Sequence, residues 1–321
     1  MIVAGKGGVG KTTVSGALAL MAARCGLTTL VVEIEGKSGL AAMFDRPDSL
    51  SYRPTVLAPA RSSGPGHHQA SISARTLTPD DALVEYLEDH GMRRISRRLT
   101  ASGSLEIIAT AVPGIKDILV LGKVKQLEQA AIAGAADAFD FIVVDAPAAG
   151  HAVTFLASAH GLRDAVSVGP IASQSRDVIE LLSDPSRCQV LLVTLPEETP
   201  VNEIIETAFH LEDRAGVHLA PVVVNGAYPA LELTDDVAGA VSAAGAQLSS
   251  AELDALSAAA EFRLTRHALQ TAQIRRLAEE LPLPQIGLPL QFTTEIGPTE
   301  AAALADAMAA GVGALGAVEP R

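Results

Sequence analysis

The sequence predicts an α/β protein built on a doubly wound, mostly parallel β-sheet. Segments typical of buried strands alternate with helical segments along the whole chain of 321 residues, which is the pattern of such sheets. Two strand segments, residues 28–34 and 141–144, are β-branched or apolar at every position except Glu33, as expected for strands covered on both faces. Polar residues follow several of these runs, at the carboxyl ends of strands, where sheets of this class bind ligands.

The chain begins with a β–loop–α–β unit. Residues 1–4 have the composition of a buried strand, residues 5–12 form a Gly-rich loop, and a helix is predicted from about residue 11 to 25. The strand at 28–34 completes the unit. Residues 52–70 are rich in Pro, Ser, Gly and His, which indicates a loop between two short strands.

Strand and helix patterns then alternate through the rest of the chain. Further strands are predicted at residues 141–144, 190–195, 220–224 and 285–288, and further helices at 78–88, 113–131, 173–182, 201–215, 250–281 and 299–310. The interval 45–139 is too long for one crossover connection. We therefore expect a single domain over residues 1–321, with a helical subdomain inserted at about 78–135.

Composition and charge exclude several classes of protein. The net charge of −13 and the pI near 5.0 argue against binding to nucleic acid or to anionic lipid. Two separated cysteines, Cys25 and Cys188, provide neither a disulfide framework nor a CxxC metal clip, so zinc and iron–sulfur clusters are not expected. The sequence has no signal-peptide pattern and no convincing membrane span, which predicts a cytoplasmic protein without stable membrane insertion.

Residues 5–12 match the phosphate-loop pattern G-x-x-x-x-G-K-[ST] at Gly5, Gly10, Lys11 and Thr12. Glycines let backbone N–H groups wrap closely around an anion, and the following helix adds its positive N-terminus. Lys11 would neutralise the β- and γ-phosphates of ATP, and the Thr12 hydroxyl would ligate Mg²⁺. The predicted nucleotide-binding residues of this segment are Gly5, Gly7, Gly8, Val9, Gly10, Lys11, Thr12 and Thr13.

Two carboxylate-bearing segments follow later strands. Glu33 and Glu35 lie at the end of the second strand, and either carboxylate could orient water or hold magnesium through water. Asp145 follows the apolar run at 141–144, the usual place of a second carboxylate near Mg²⁺ in phosphate-loop enzymes. Gly150 could let this segment move, and His151 alone would be unremarkable.

The segment of residues 6–13 carries a second lysine, Lys6, and resembles the deviant phosphate loop of the class that contains ArsA, MinD, ParA and the nitrogenase iron protein. The resemblance implies that Lys6 reaches across a nucleotide-sandwich dimer to the phosphates bound by the partner. It would then stabilise charge in the transition state.

The chain as a whole resembles the ArsA-type ATPases, which include arsenite-pump ATPases and carriers of tail-anchored membrane proteins. Residues 35–44 fit the spacing of the family's first switch, D-P-A-H-[SN]-L-x-x-x-F. Residues 145–151 match the second switch, D-T-A-P-T-G-H, in length and at three positions. Asn225 matches the family's adenine-reading asparagine, and the Pro289-Leu290 turn lies where the family closes a loop over the base.

The resemblance implies a role for each of these residues. Glu35 takes the place of the water-activating aspartate, and Asp145 supports Mg²⁺, most simply through a water molecule. Asn225 and Pro289 belong to the adenine pocket, and the catalytic set is Lys6, Lys11, Glu35 and Asp145.

Partners are implied by the family and left open in identity. The motifs are most similar to those of actinobacterial ArsA-like ATPases, which occur as pairs of paralogues, so both a homodimer and a heterodimer with a paralogue are expected assemblies. The client, a protein or membrane complex, is not identified by the sequence. Arsenite is not expected, because soft As(III) needs several thiolates. Only four residues precede the loop, fewer than in the family, which leaves the natural N-terminus open.

Two alternative functions remain at this level. Glu35 is one methylene longer than the family's aspartate, and a small misplacement can cost about 10²-fold in rate, so a slow or non-hydrolysing ATP-dependent switch is one alternative. A MinD- or ParA-like positioning ATPase is the other. The acidic charge and the Ala-rich C-terminal segment oppose it, since such proteins use a DNA-binding surface or an amphipathic membrane helix.

Overall fold

A computed structural model describes residues 1–34, 39–46, 50–62, 68–89, 91–94, 114–135, 138–165, 169–231, 234 and 236–315. Its strands are β1 (Ile2–Gly5), β2 (Thr29–Ile34), β3 (Thr55–Ala58), β4 (Arg61–Ser62), β5 (His68–Gln69), β6 (Ile72–Leu77), β7 (Phe141–Ala148), β8 (Val190–Thr194), β9 (Val222–Ala227) and β10 (Gln285–Pro289). Eight of these form one sheet in the order β10-β9-β8-β1-β7-β2-β6-β3, and β4 and β5 form a separate ribbon. Only β3 runs antiparallel to its neighbour in the large sheet, which confirms the predicted mostly parallel α/β fold.

Helices cover both faces of this sheet. They are α1 (Lys11–Arg24), α2 (Gly39–Met43), α3 (Pro79–Asp89), α4 (Ile115–Ile132), α5 (Ala149–Ala165), α6 (Pro170–Ser183), α7 (Glu198–His210) with a π-helical turn (Leu211–Ala215), α8 (Val237–Ala243), α9 (Ser250–Glu280) and α10 (Pro298–Leu315). On one face, α1 and α10 contribute buried residues such as Val14 and Leu304 to one core cluster. On the other face, α3 to α7 pack a second cluster around Phe155 and Leu156. The sheet is therefore doubly wound.

The sheet topology places a ligand site beside β1. The chain leaves β1 toward β2 on one side, whereas the later strands β8, β9 and β10 extend the sheet on the other side. Such a reversal of winding opens a crevice at the carboxyl ends of the adjacent strands. The loop after β1 lies at this point.

Most predicted elements occur where the sequence placed them. The helices α2, α5 and α8 and the ribbon of β4 and β5 were not predicted. Asp145 and Asn225 lie inside β7 and β9, not after their ends, because β7 pairs with β1 as far as Ala148 and β9 pairs with β10 as far as Ala227. Helices α3 and α4 occupy part of the region 78–135, and their organisation as a subdomain stays a prediction.

Within the described ranges, no helix combines the length and the apolar character needed to cross a membrane. Glu35, with the rest of residues 35–38, lies outside the described residues.

Candidate nucleotide site

Two glycines shape the loop between β1 and α1 through close approaches. A Cβ atom on Gly5 would lie 2.2 Å from the carbonyl oxygen of Val193 on β8, and one on Gly10 would lie 2.3 Å from Nδ2 of Asn225. Gly10 also has a φ of 87°, a left-handed conformation that side chains disfavour. Glycine is therefore required at both ends of the loop.

Lys11 begins α1, and its side chain folds back into the loop. The residue is only 6% exposed, and its Nζ donates a hydrogen bond to the carbonyl oxygen of Lys6 at 2.9 Å. Its charge thus lies among the backbone amides at the positive N-terminus of α1. This combination is suited to binding a polyphosphate.

Thr12 and Asp145 connect the loop to β7. The Thr12 hydroxyl donates a hydrogen bond to Oδ2 of Asp145 at 2.6 Å, although the two residues are 133 positions apart in the chain. Both side chains provide hard oxygen ligands, the type that Mg²⁺ prefers. The donor set therefore fits the magnesium ion that the sequence implies.

Asp145 is fully buried and lies in register with Val3 on β1 and with Glu33 on β2. Register partners in a parallel sheet point to the same face, so Glu33 and Asp145 lie side by side on the α1 face. Glu33, which is also fully buried, therefore lies beside Asp145, one of the two residues that fit a magnesium site.

Asn225 contacts the loop directly. Its Nδ2 donates a hydrogen bond to the carbonyl oxygen of Val9 at 2.9 Å. An Asn side chain has two N–H donors and an acceptor oxygen, so this bond uses only part of its capacity. Pro289 pairs with Ala227 on β9, which places the predicted base loop beside the strand that carries Asn225.

The other loop lysine has a partner that the sequence analysis missed. Lys6 Nζ lies 2.6 Å from Oε1 of Glu203 on α7. No local pattern marks Glu203, because it is one of several acids on an amphipathic helix and lies 197 positions away.

His151, in the first turn of α5, is exposed.

The structure thus brings together most of the predicted site. The loop residues, Asp145 and Asn225 converge at the carboxyl ends of β1, β7 and β9, and Pro289 lies on the adjacent strand. Gly7 faces the end of β7, where a Cβ atom on it would lie 3.9 Å from the Cβ of Ala148. Glu35 lies outside the described residues.

Comparison with known proteins identifies the family of this chain. The model of the anion-transporting ATPase (ArsA) family matches residues 1–168, just over half of the chain. The chain belongs to this family. It is an ATP hydrolase, as its relatives are named.

Two relatives show how far the similarity extends. The ATPase BagA of Mycobacterium tuberculosis is 32% identical over 304 residues, which cover 90% of this chain and 86% of the relative. An arsenical pump-driving ATPase of Escherichia coli is 26% identical over 263 residues, which cover 74% of this chain but only 40% of the relative. This ATPase therefore corresponds to less than half of the pump-driving protein.

Proposed function

We propose that this chain is a cytoplasmic, Mg²⁺-dependent ATPase that works as a nucleotide-sandwich dimer. The contact between Thr12 and Asp145 is the observation that supports the proposal most directly. It joins the phosphate loop to the second switch, so a change at the γ-phosphate can be transmitted to α5. Magnesium, when bound, would offset the negative charge of the phosphates. Thr12 would hold it directly, and Asp145 through water.

The two loop lysines have different environments, which supports different roles. The Lys11 residue is 6% exposed, whereas the Lys6 side chain is 38% exposed. Lys11 would thus bind the phosphates of the nucleotide held by its own loop. Lys6, once released from Glu203, would reach outward toward the phosphates of a partner subunit, where it would stabilise the charge of the transition state. Glu35 would activate the attacking water, and Asn225 would read adenine.

The client is proposed only as a class. The chain dimerises with itself or with a paralogue, and hydrolysis drives a conformational change coupled to a client protein or membrane complex. Arsenite is not proposed as the client, because the chain has two cysteines, of which Cys188 is buried and Cys25 is exposed. A soft As(III) ion needs several thiolates held together.

Turnover of lysine variants tests the catalytic assignment. Lys11→Ala and Lys6→Ala should each lose ATP hydrolysis, whereas Lys125→Ala, which removes a lysine paired with Asp177 on α6, should retain it. Unchanged hydrolysis in both loop variants would refute the assignment.

Mixing the two inactive variants tests the action in trans. In a dimer of one Lys6→Ala subunit and one Lys11→Ala subunit, one site has an intact Lys11 and receives an intact Lys6 from its partner. Activity should therefore return on mixing. If both variants bind ATP and dimerise but the mixture stays inactive, Lys6 acts within its own subunit.

A slow switch is the second candidate, and the residue at position 35 supports it. Glutamate places the carboxylate one methylene further from the backbone than the aspartate of the family. Single-turnover hydrolysis of radiolabelled ATP separates the two candidates. A much slower chemical step in the parent than in Glu35→Asp would favour the switch.

A further inference from the structure

The side chain of Gln270 holds the turn that follows Asn225. Gln270 lies on α9 and is only 4% exposed. Its Oε1 accepts a hydrogen bond from the backbone N–H of Tyr228 at 2.7 Å, and its Nε2 donates to the carbonyl oxygen of Gly226 at 3.3 Å. A buried amide is costly unless its donor and acceptor are both paired, so this bridge fixes the spacing of the turn.

This turn, residues 226–228, overlaps the end of β9 and begins directly after the proposed adenine-reading residue. Gly226 has a φ of 69°, a left-handed conformation, and it lies in β9 where the register with β10 shifts. The side-chain amide of Asn225 reaches Val9 in the phosphate loop at the same point. A shift of the turn would therefore move the Asn225 amide relative to both the loop and the base.

A second contact fixes the same region about two helical turns earlier on α9. The guanidinium carbon of Arg263 lies 4.1 Å from the ring centroid of Tyr228 and 5.1 Å from that of Phe292. The two rings pack edge to face at 5.8 Å. Tyr228 follows β9 and Phe292 follows β10. Arg263 therefore joins the two segments that follow these strands, on either side of the proposed adenine pocket.

We infer that Gln270 is a positioning residue that sets the preference of this ATPase for adenine. It acts through Asn225, whose orientation depends on the backbone that Gln270 bridges, and the inference rests on the proposed adenine role of Asn225. Loss of the bridge frees the turn, so Asn225 no longer presents its donor and acceptor in a fixed direction. The preference for ATP over GTP then narrows, because a misplaced amide discriminates poorly between the two purine edges.

Binding of nucleotides to matched variants tests this role. Gln270→Met keeps the length of the side chain but removes both hydrogen bonds, and Gln270→Glu keeps the acceptor for Tyr228. Gln273→Met is the control: this glutamine is on the same helix, and its Oε1 has no hydrogen-bond partner among the described residues. The measurement is the displacement of a fluorescent ATP analogue by ATP and by GTP, in the presence of Mg²⁺, which gives the ratio of the two dissociation constants.

Gln270→Met should lower the ratio of the GTP dissociation constant to the ATP dissociation constant about tenfold, which is the size of roughly one lost hydrogen bond. Gln270→Glu should also lower this ratio, because its second carboxylate oxygen would face the carbonyl oxygen of Gly226 and cannot donate to it. Gln273→Met should leave the ratio unchanged. A purely structural role for Gln270 would lower the folded fraction without changing the ratio. If Gln270→Met proves unfolded, Gln270→Glu alone must narrow the ratio.

Asn225→Ala separates the failure of this inference from that of the proposed function. If Asn225→Ala narrows the ratio and the Gln270 variants do not, the positioning role is wrong and the adenine role stands. If Asn225→Ala leaves the ratio unchanged, the adenine role itself is wrong, and the inference falls with it.

Discussion

The ammonium of Lys6 forms an ion pair with Glu203 on its own chain, at 2.6 Å. The two side chains are 38% and 39% exposed, so water screens the pair and its contribution to stability is small. The main effect of this ion pair is to hold the Lys6 side chain against its own subunit. A lysine that is proposed to act on a partner subunit must first leave Glu203.

Glu203→Gln should therefore make Lys6 more available without destabilising the fold. We expect the free energy of unfolding to change by less than about 0.5 kcal/mol, and ATP-dependent dimerisation and hydrolysis to begin at lower protein concentration. Hydrolysis rates over a dilution series, with sedimentation velocity on the same samples, measure both effects. Glu206→Gln, an exposed acid on the same helix, is the control. A lower rate for Glu203→Gln at every concentration would show that Glu203 assists Lys6.

The bond between Thr12 and Asp145 predicts that the hydroxyl, more than the shape of the side chain, is essential. Thr12→Val keeps the shape and removes the ligand, so ATP hydrolysis should fall by about 10²-fold or more, and added Mg²⁺ should restore little. Thr12→Ser keeps the hydroxyl and should remain active. Hydrolysis rates as a function of Mg²⁺ concentration test this. Equal rates for the Val and Ser variants would remove Thr12 from the metal site.

The phosphate loop was readable from the sequence because its signal is local. The spacing of Gly5, Gly10, Lys11 and Thr12 within eight residues specifies both a backbone conformation and an anion site. The strands were readable for a similar reason, since strands buried on both faces are continuous apolar runs. Helix α5 was missed because Gly150 and Gly161 lower its local helix propensity.

Contacts between residues far apart in the chain could not be predicted from the sequence. Glu203 is 197 positions from Lys6, and Gln270 is 42 from Tyr228. Nothing in the local sequence distinguishes Gln270 from Gln273, three residues further along α9. Their difference arises only when β9 and α9 pack together, and a single sequence carries no signal of that packing.

Alanine substitutions at two glycines of the loop distinguish the cost of backbone strain from the cost of a steric collision. Gly8 and Gly10 have nearly equal φ values of 85° and 87°, but a Cβ atom on Gly8 has no atom within 4 Å, whereas one on Gly10 meets Asn225. Gly8→Ala should cost about 1–2 kcal/mol from the left-handed conformation alone. Gly10→Ala should cost more, because the Asn225 amide must also move away from Val9.

Urea unfolding of the two variants measures this difference directly. The double variant Gly10→Ala with Asn225→Ala should recover part of the additional loss, since the colliding amide is removed. If Gly8→Ala and Gly10→Ala have equal stability, the close packing of Asn225 on the loop contributes nothing.

Glu85 predicts a stability difference that depends on pH. Burial raises the pKa of Glu85, but hydrogen bonds from Lys123 and Tyr52 outweigh this effect, and the net pKa is below its ordinary value. The Lys123 bond is 2.7 Å long, and the Tyr52 hydroxyl donates to the other carboxylate oxygen. These bonds tie α3 and α4 to the segment that precedes β3.

A lowered pKa in the folded protein stabilises it above the unfolded-state pKa of about 4.3, and this contribution is lost as the pH falls through the folded value. Glu85→Gln should therefore be less stable than the parent at pH 7, and the difference should shrink as the pH falls below about 4. Urea unfolding at pH 7, 5, 4 and 3.5 tests this, with the exposed Glu88→Gln on the same helix as the control. A difference that stays constant over this range would mean that the Glu85 carboxylate is not stabilised by these two donors.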